Sequence, residues 1–490
     1  MVAEPEVIRI LRDLIRFDTS NPPGNERPAA EYLAAILRSE GIDSVVLESR
    51  PARGNVIARL PGAGAAPPLL LSAHLDVVPA VEHGWEHPPF AAEIHDGYVW
   101  GRGAVDMKHM AAMSVVTLLE LKRRRVRLHR DVIFAGVADE EAGGHAGAGW
   151  LVDTHPDRIS AAFCLTELGG MSVPMPRRTL IPVQVAEKGV EWFRMRVRGT
   201  PGHGSMPRPD SAVQKLCEAV ARLGRRPLGY HLTPTAREFL QAVAAAQRPP
   251  ASLLLKGLLS ERTARATLRL VPPGRRQAFR AMLYNTATTT VLAAGVKANV
   301  IPGEASADVD GRFLPGVTRE QFLDEVRRVI GPEFTLESIE RGPPTEMPFE
   351  SPVLDAIRRV MTRHIPDARV VPYLLPGVTD AKHYARAPGS PRTDSPPCGS
   401  RATSPLPSST TAPTSGSRWR ASSRGRSGSA RWWRRSPAPR RAPPSSRAAS
   451  GPGDRGRAAR RCARPRRAPP GSPPPARPGS SGPRRAPPGR

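Results

Sequence analysis

Cysteine is scarce, with four residues in a chain of 490. Cys398 and Cys462 fall near the C-terminus, while Cys164 and Cys217 stand far apart in no ligand spacing. That distribution argues against a disulfide framework and excludes an all-thiolate metal site. Long apolar runs are missing too, since none approaches the ~20 residues needed to span a bilayer. The opening stretch MVAEPEVIRILRDLIRF is amphipathic and charged throughout, and lacks the apolar centre of a secretion signal. A soluble, reducing, cytoplasmic setting is expected, with no membrane attachment. No internal repeat and no Gly-rich phosphate loop is present.

Other absences are local. From Ala387 to Arg490 there is no Lys, Glu, Val, Ile, Phe, Tyr or Met, and Leu406 is the only Leu. The same stretch holds 23 Arg and 2 Asp, so it carries +21 of the formal +27. Such a segment cannot bury enough apolar surface to offset chain entropy and is expected to be a disordered tail. The remaining +6 on residues 1–386 is ordinary for a globular enzyme.

Within residues 1–386, short β-like runs alternate with helical patterns. Ser44–Leu47, Asn55–Leu60, Leu69–Ser72, Val132–Val137 and Ala161–Leu165 read as strands, and Met110–Arg125 as a helix. Runs apolar on both faces, interleaved with helices, predict an α/β domain with a largely parallel twisted sheet flanked by helices. The texture changes near Glu187. Strands at Val190–Gly199, Ala287–Leu292 and Ala305–Phe313 alternate in polarity, with helices at Ala212–Leu223 and Thr318–Ile330. This predicts an inserted α+β domain. The expected layout is a catalytic domain over 1–186, the insertion over 187–345, a second catalytic part over 346–386, and the tail over 387–490.

Acidic residues and histidines sit just past the apolar runs. Leu69–Ala73 leads into His74 and Asp76, Tyr98–Gly103 into Asp106, Val132–Ala138 into Glu140 and Glu141, and Ala161–Thr166 into Glu167. In an open α/β sheet ligands collect beyond the carboxyl ends of strands, so these loops can converge. Imidazole and carboxylate suit zinc or a similar divalent ion. Of two adjacent Glu residues, one can bind metal while the other acts as general base. Asp76 is placed to take the second ring N–H of His74. A lone His-x-Asp or a lone loop carboxylate is usually structural; four such strand ends in order are hard to obtain by chance.

The segments SAHLDVVP (72–79), GRGAVDMK (101–108), ADEEAGG (138–144), TELGG (166–170), RGTPGHGSMP (198–207) and PGVTDAKHY (376–384) together resemble the co-catalytic zinc metallopeptidase superfamily of aminoacylase, succinyl-diaminopimelate desuccinylase and carboxypeptidase G. The resemblance implies two Zn2+ per subunit, with Co2+ a possible substitute. It implies His74 and Glu167 on one ion, Glu141 on the other, Asp106 bridging, Glu140 as base and Asp76 behind His74. It further implies that the insertion is a lid and dimerisation domain, and that His203 reaches the active site of a partner subunit in a homodimer. Asn299, Arg312, Gly377 and Thr379 are implied to contact substrate, a small N-acyl amino acid or peptide. His83, His87, His95, His109 and His145 match no family position and are read as surface or packing residues. His383 likewise does not match the family's metal-ligand position.

The pattern breaks near Arg386. The family's segments resembling GIPTYGFSP and HGxxER, the second carrying the sixth ligand, are absent, and the arginine-rich tail begins in their place. Codons shifted by one base across Gly389–Cys398 can encode GIPTYGFSPV, and across Thr410–Gly416 HGTDER. The tail is therefore expected to be an out-of-frame translation, and the chain as written to hold its second cation weakly. Two alternatives stand beside a zinc-dependent amide hydrolase. One is a catalytically impaired dimeric pseudo-enzyme. The other is nucleic-acid binding through the basic tail by counterion release, set well behind because the tail has no Lys and no RNA-binding motif.

Overall fold

The computed structural model describes residues 4–81, 84–167 and 171–386, and the backbone of 401–402. The expected tail lies outside the described residues apart from that dipeptide, whose backbone pairs with Val183 and Gln184. Helix Glu6–Arg16 buries Ile8, Leu11, Leu14 and Ile15, the i, i+3, i+6, i+7 positions of one face, and packs on helix Lys108–Arg123.

The first sheet holds Asp43–Glu48, Gly54–Leu60, Val132–Val137, Leu69–His74 and Phe163–Leu165, in that spatial order. Its last three strands are parallel, while the first two pairings are antiparallel. The sheet is thus mixed, which corrects the expectation of a largely parallel one. For the first of these pairings the cause is the short link between Glu48 and Gly54. Parallel neighbours need a crossover of about a dozen residues or more, so this link permits only a hairpin. Helix Lys108–Arg123 supplies such a crossover between Leu69–His74 and Val132–Val137.

The second sheet is antiparallel, in the order Thr286–Ala294, Glu304–Phe313, Gly189–Arg198, Thr335–Gly342. Along Glu304–Phe313 burial alternates strictly, with Ala305, Ala307, Val309 and Phe313 turned inward. Gly311 belongs to that inward row because a Cβ there would lie 2.4 Å from the Glu191 carbonyl oxygen. Helices Ala212–Arg225 and Arg319–Ile330 pack against one another, and Ala212–Arg225 also covers this sheet.

A third sheet joins what the second separates in sequence. Thr179–Glu187 runs parallel to Ala368–Leu375, with Thr345–Glu346 and Val173–Pro174 antiparallel to Thr179–Glu187. Helix Pro234–Ala246, which sequence periodicity left unassigned, packs on both parallel strands, with Phe239 edge-on to Tyr373 at 5.5 Å. The fold is mixed α/β. Among the described residues no helix is long and apolar enough to cross a membrane.

Candidate metal centre

Because Val132–Val137, Leu69–His74 and Phe163–Leu165 are adjacent and parallel, their carboxyl ends lie along one edge of the sheet. His74 ends the middle strand, Asp139–Glu141 follow the first, and Glu167 follows the third. Asp106 arrives on the loop after the hairpin Ile94–His95/Tyr98–Val99. His74, Asp106 and Glu141 bring one ligand atom each to within 4.8 Å of one another, and so do His74, Glu140 and Glu167. The structure therefore gathers four of the sequence-predicted residues around His74, a cluster of five, and pairs Glu141 with His74 more closely than the resemblance implied.

His74 is buried, with Nε2 at 3.0 Å from Asp106 Oδ1 and 3.8 Å from Glu167 Oε2. Its Nδ1 lies 2.9 Å from the backbone oxygen of Asp76, with the Asp76 carboxylate at 3.5 Å. That carboxylate has a second task, invisible in the sequence. Its two oxygens accept the backbone N–H groups of Glu140 and Glu141, each at 3.1 Å, and the side-chain amide of Asn21 at 2.8 Å. Asp76 thus ties the Glu pair to the end of the His74 strand.

Asp139 turns the chain toward the Glu pair in the left-handed region, at φ 74°, which an Asp tolerates better than most residues. Its carboxylate accepts from Ala146 N at 2.9 Å, from Asn21 at 3.2 Å and from Arg53 Nη2 at 2.7 Å. Arg53 in turn reaches Glu26 at 2.8 Å. Asn21, Glu26, Arg53 and Asp139 form a buried scaffold behind the site that sequence reading missed. Contacts spanning 86 residues, as between Arg53 and Asp139, leave no local signal.

Burial, then the charge of Asp76, pushes the Glu26 carboxyl up to about 7 despite Arg53. Folding thus favours its neutral form. That stability is fully present below the ordinary value of 4.5 and is lost as pH rises through about 7. Glu26→Gln is expected to remove this loss, on the order of 3 kcal/mol. Urea midpoints measured at acidic and at alkaline pH check it, and an unchanged pH slope contradicts it.

The donor set itself calls for cations. Four carboxylates converge on one imidazole, an arrangement that is costly to hold together without compensating positive charge. Burial, then the Glu167 charge, pushes Glu140 well above the ordinary carboxylate range. Burial likewise pushes Glu141 up to about 7 against the pull of His74, and the Asp106 charge adds to the rise. For Asp106, burial works upward, but the hydrogen bond from His74 and the charges of His74, His109 and Arg102 together hold the group low. Imidazole and carboxylate together fit zinc or a similar borderline ion.

Two further groups bear on the cluster. Asp380, from the TDA segment, is buried and pushed up to about 7 by burial, with the charges of Glu167 and Asp76 adding to it against Lys382 and His74. His109 is pushed down to about 4 by burial, opposed by the Asp106 charge.

The remaining predicted residues lie elsewhere. His203 is exposed, its Nδ1 2.8 Å from Ser205 Oγ, on a two-residue strand paired with Val300–Ile301. Asn299 is its neighbour, accepting from Gly204 N at 2.9 Å. Arg312 spends its fork on Asp310, at 2.6 and 3.2 Å, with its guanidinium 5.8 Å from the Trp192 ring centre. Thr379 is buried and donates to Glu187 at 3.0 Å, and Gly377 is half-buried two residues before it. None of these makes a hydrogen bond or ion pair to the five-residue cluster among the described residues. His383 is buried with Nε2 2.8 Å from the Gly143 carbonyl, and is the last of the chain's 12 histidines.

A profile of the peptidase family M20/M25/M40 matches residues 70–404. A probable carboxypeptidase S-like 2 of Dictyostelium discoideum is 30% identical over 338 residues, 65% of this chain and 62% of that protein. An N-fatty-acyl-amino acid synthase/hydrolase of Xenopus tropicalis is 30% identical over 341 residues, 66% of this chain and 64% of its own length. The alignments thus span under two thirds of these relatives. A metallo-carboxypeptidase from Sulfolobus solfataricus superimposes with a TM-score of 0.59 at 18% identity, covering 78% of this chain and 89% of that one. At that identity the likeness concerns the fold.

Proposed function

From the premise that the chain belongs to the peptidase family M20/M25/M40, we propose that it is a divalent-cation-dependent hydrolase of an amide bond next to a free carboxylate, in N-acyl amino acids or small peptides. The observation that carries this reading is the convergence of His74, Asp106, Glu140, Glu141 and Glu167 at the carboxyl ends of three parallel strands. His74, Asp106, Glu141 and Glu167 would hold two zinc ions, with cobalt as a possible substitute. When bound, such ions polarise a carbonyl and lower the pKa of water toward ~7.

The chain's own residues do the rest. Glu140, its backbone fixed by Asp76, accepts a proton at its carboxylate and returns it to the leaving amine. Asp76 holds the Glu140–Glu141 turn and the His74 ring in one geometry. Asp76→Asn puts an amide N–H2 against backbone donors and is expected to weaken zinc binding by about 10–100-fold. Competition with a chromogenic chelator measures this, and wild-type affinity would remove Asp76 from the assembly.

We assign residues 187–345 to a lid and dimerisation domain, supported by the pairing of Thr179–Glu187 with Ala368–Leu375 on either side of the segment. His203 would then serve a partner subunit's site as an oxyanion donor, and Asn299, Arg312, Gly377 and Thr379 would hold the substrate. Arg312 suits a carboxylate by its planar fork once Asp310 yields it.

A second reading, an impaired pseudo-enzyme, is favoured by the absence of any histidine after His383. Assaying the chain as written beside a frame-corrected version against a panel of N-acyl amino acids separates the two. Activity in the corrected chain alone supports the frame-shifted tail; inactivity of both, with zinc bound, overturns the hydrolase reading.

A further inference from the structure

A separate cluster lies on the arm that precedes Asp106. His95 opens the hairpin Ile94–His95/Tyr98–Val99, closed by Asp96 and Gly97 at φ 51° and 75°. Paired positive φ values suit an Asp-Gly turn and fix how His95 leaves the strand. One backbone bond, Trp100 N to Glu93 O at 2.9 Å, and one side-chain bond, Arg12 Nε to Ala92 O at 2.9 Å, hold the arm in place.

On this frame the rings of His87 and His95 stack at 3.8 Å with 16° between their planes. His87 also packs against Trp100 at 4.6 Å. His87 Nδ1 and His95 Nε2 both reach the same oxygen, Glu93 Oε2, at 3.0 and 2.8 Å. The three donor atoms lie within 4.8 Å of one another.

We propose that His87, Glu93 and His95 form a further divalent cation site, distinct from the five-residue cluster and selective for a borderline ion such as zinc, nickel or copper. Two imidazoles and one carboxylate form a zinc donor set that leaves one position for water. Donors around a tetrahedral ion at about 2.0–2.1 Å sit roughly 3.4 Å apart, so the His–Glu spacings need to open only slightly. Stacked rings repel when both are protonated, and a cation held by neutral rings avoids that cost. With two nitrogens and one oxygen, the set disfavours magnesium and calcium. The bound ion would staple the His87 turn to the hairpin.

The test does not depend on hydrolysis. Full-length protein carrying Asp106→Asn and Glu141→Gln, which weakens the five-residue cluster, is stripped and titrated with Cu2+. Electron paramagnetic resonance should show a copper signal with hyperfine coupling to two nitrogens. Adding His95→Ala, at a half-exposed position that folding tolerates, should reduce the coupling to one nitrogen or abolish the signal. In the otherwise wild-type chain, His87→Ala with His95→Ala should lower bound zinc by one equivalent and leave any hydrolytic activity in place. Equal zinc content in the two proteins, or a copper spectrum indifferent to His95, overturns the proposal. Loss of hydrolysis with the zinc equivalent retained also overturns it.

Discussion

Glu140→Gln is expected to lower amide hydrolysis by about 10²–10⁴-fold while bound zinc stays near the wild-type level. The substitution keeps the shape of the side chain and the backbone bond to Asp76, and removes only the ability to accept a proton. Glu140 sits between two roles. Its carboxylate lies with His74 and Glu167 as closely as a ligand would, yet Glu141 next to it has the same reach toward His74 and Asp106. Metal content tells them apart. Hydrolysis lost with zinc retained identifies the proton carrier, whereas zinc lost in parallel makes Glu140 a ligand. Activity within about threefold of wild type, a barrier change of under ~1 kcal/mol, would remove Glu140 from the chemistry.

Arg53→Met is expected to destabilise the fold by about 3–5 kcal/mol, because removing one partner leaves buried charge uncompensated. Arg53 is 9% exposed, and its guanidinium serves Asp139 at 2.7 Å, Glu26 at 2.8 Å and the Pro23 carbonyl at 3.0 Å. Gly24, at φ 84°, lies so close that a Cβ would stand 2.4 Å from the guanidinium carbon. Asp139 then loses the contact that helps orient the turn into Glu140, so catalysis should fall along with stability. Arg53→Lys should rescue little, since an ammonium cannot span both acids as the planar fork does. Chemical denaturation at neutral pH measures the loss. A change under about 1 kcal/mol would place the pairs among those that contribute little.

Much of this site was legible because chemistry and fold share one signal. An apolar run ending in His or an acid marks both a buried strand and the residue beyond its carboxyl end, as at Leu69–His74 and Val132–Val137. What stayed hidden depends on partners distant in sequence. Asp76 reads as the companion of His74, yet its carboxylate mainly receives the turn at Glu140, 64 residues on. Asp380 looks like a loop acid until folding buries it beside Glu167 and Asp76. The antiparallel hairpin that opens the first sheet turned on the link between Glu48 and Gly54, where Ala52 takes φ 67°, a conformation its residue type does not announce. Helix Pro234–Ala246 eluded periodicity because its alanines are buried around most of its girth, blurring the single apolar face.

The most direct test of the central claim is a hydrolysis assay on chelator-stripped, frame-corrected protein with N-acyl amino acids, before and after zinc or cobalt is restored. The account predicts no activity when stripped, recovery with either ion, and no recovery in Glu140→Gln. Hydrolysis that persists in the stripped protein, or that Glu140→Gln restores equally well, would contradict it.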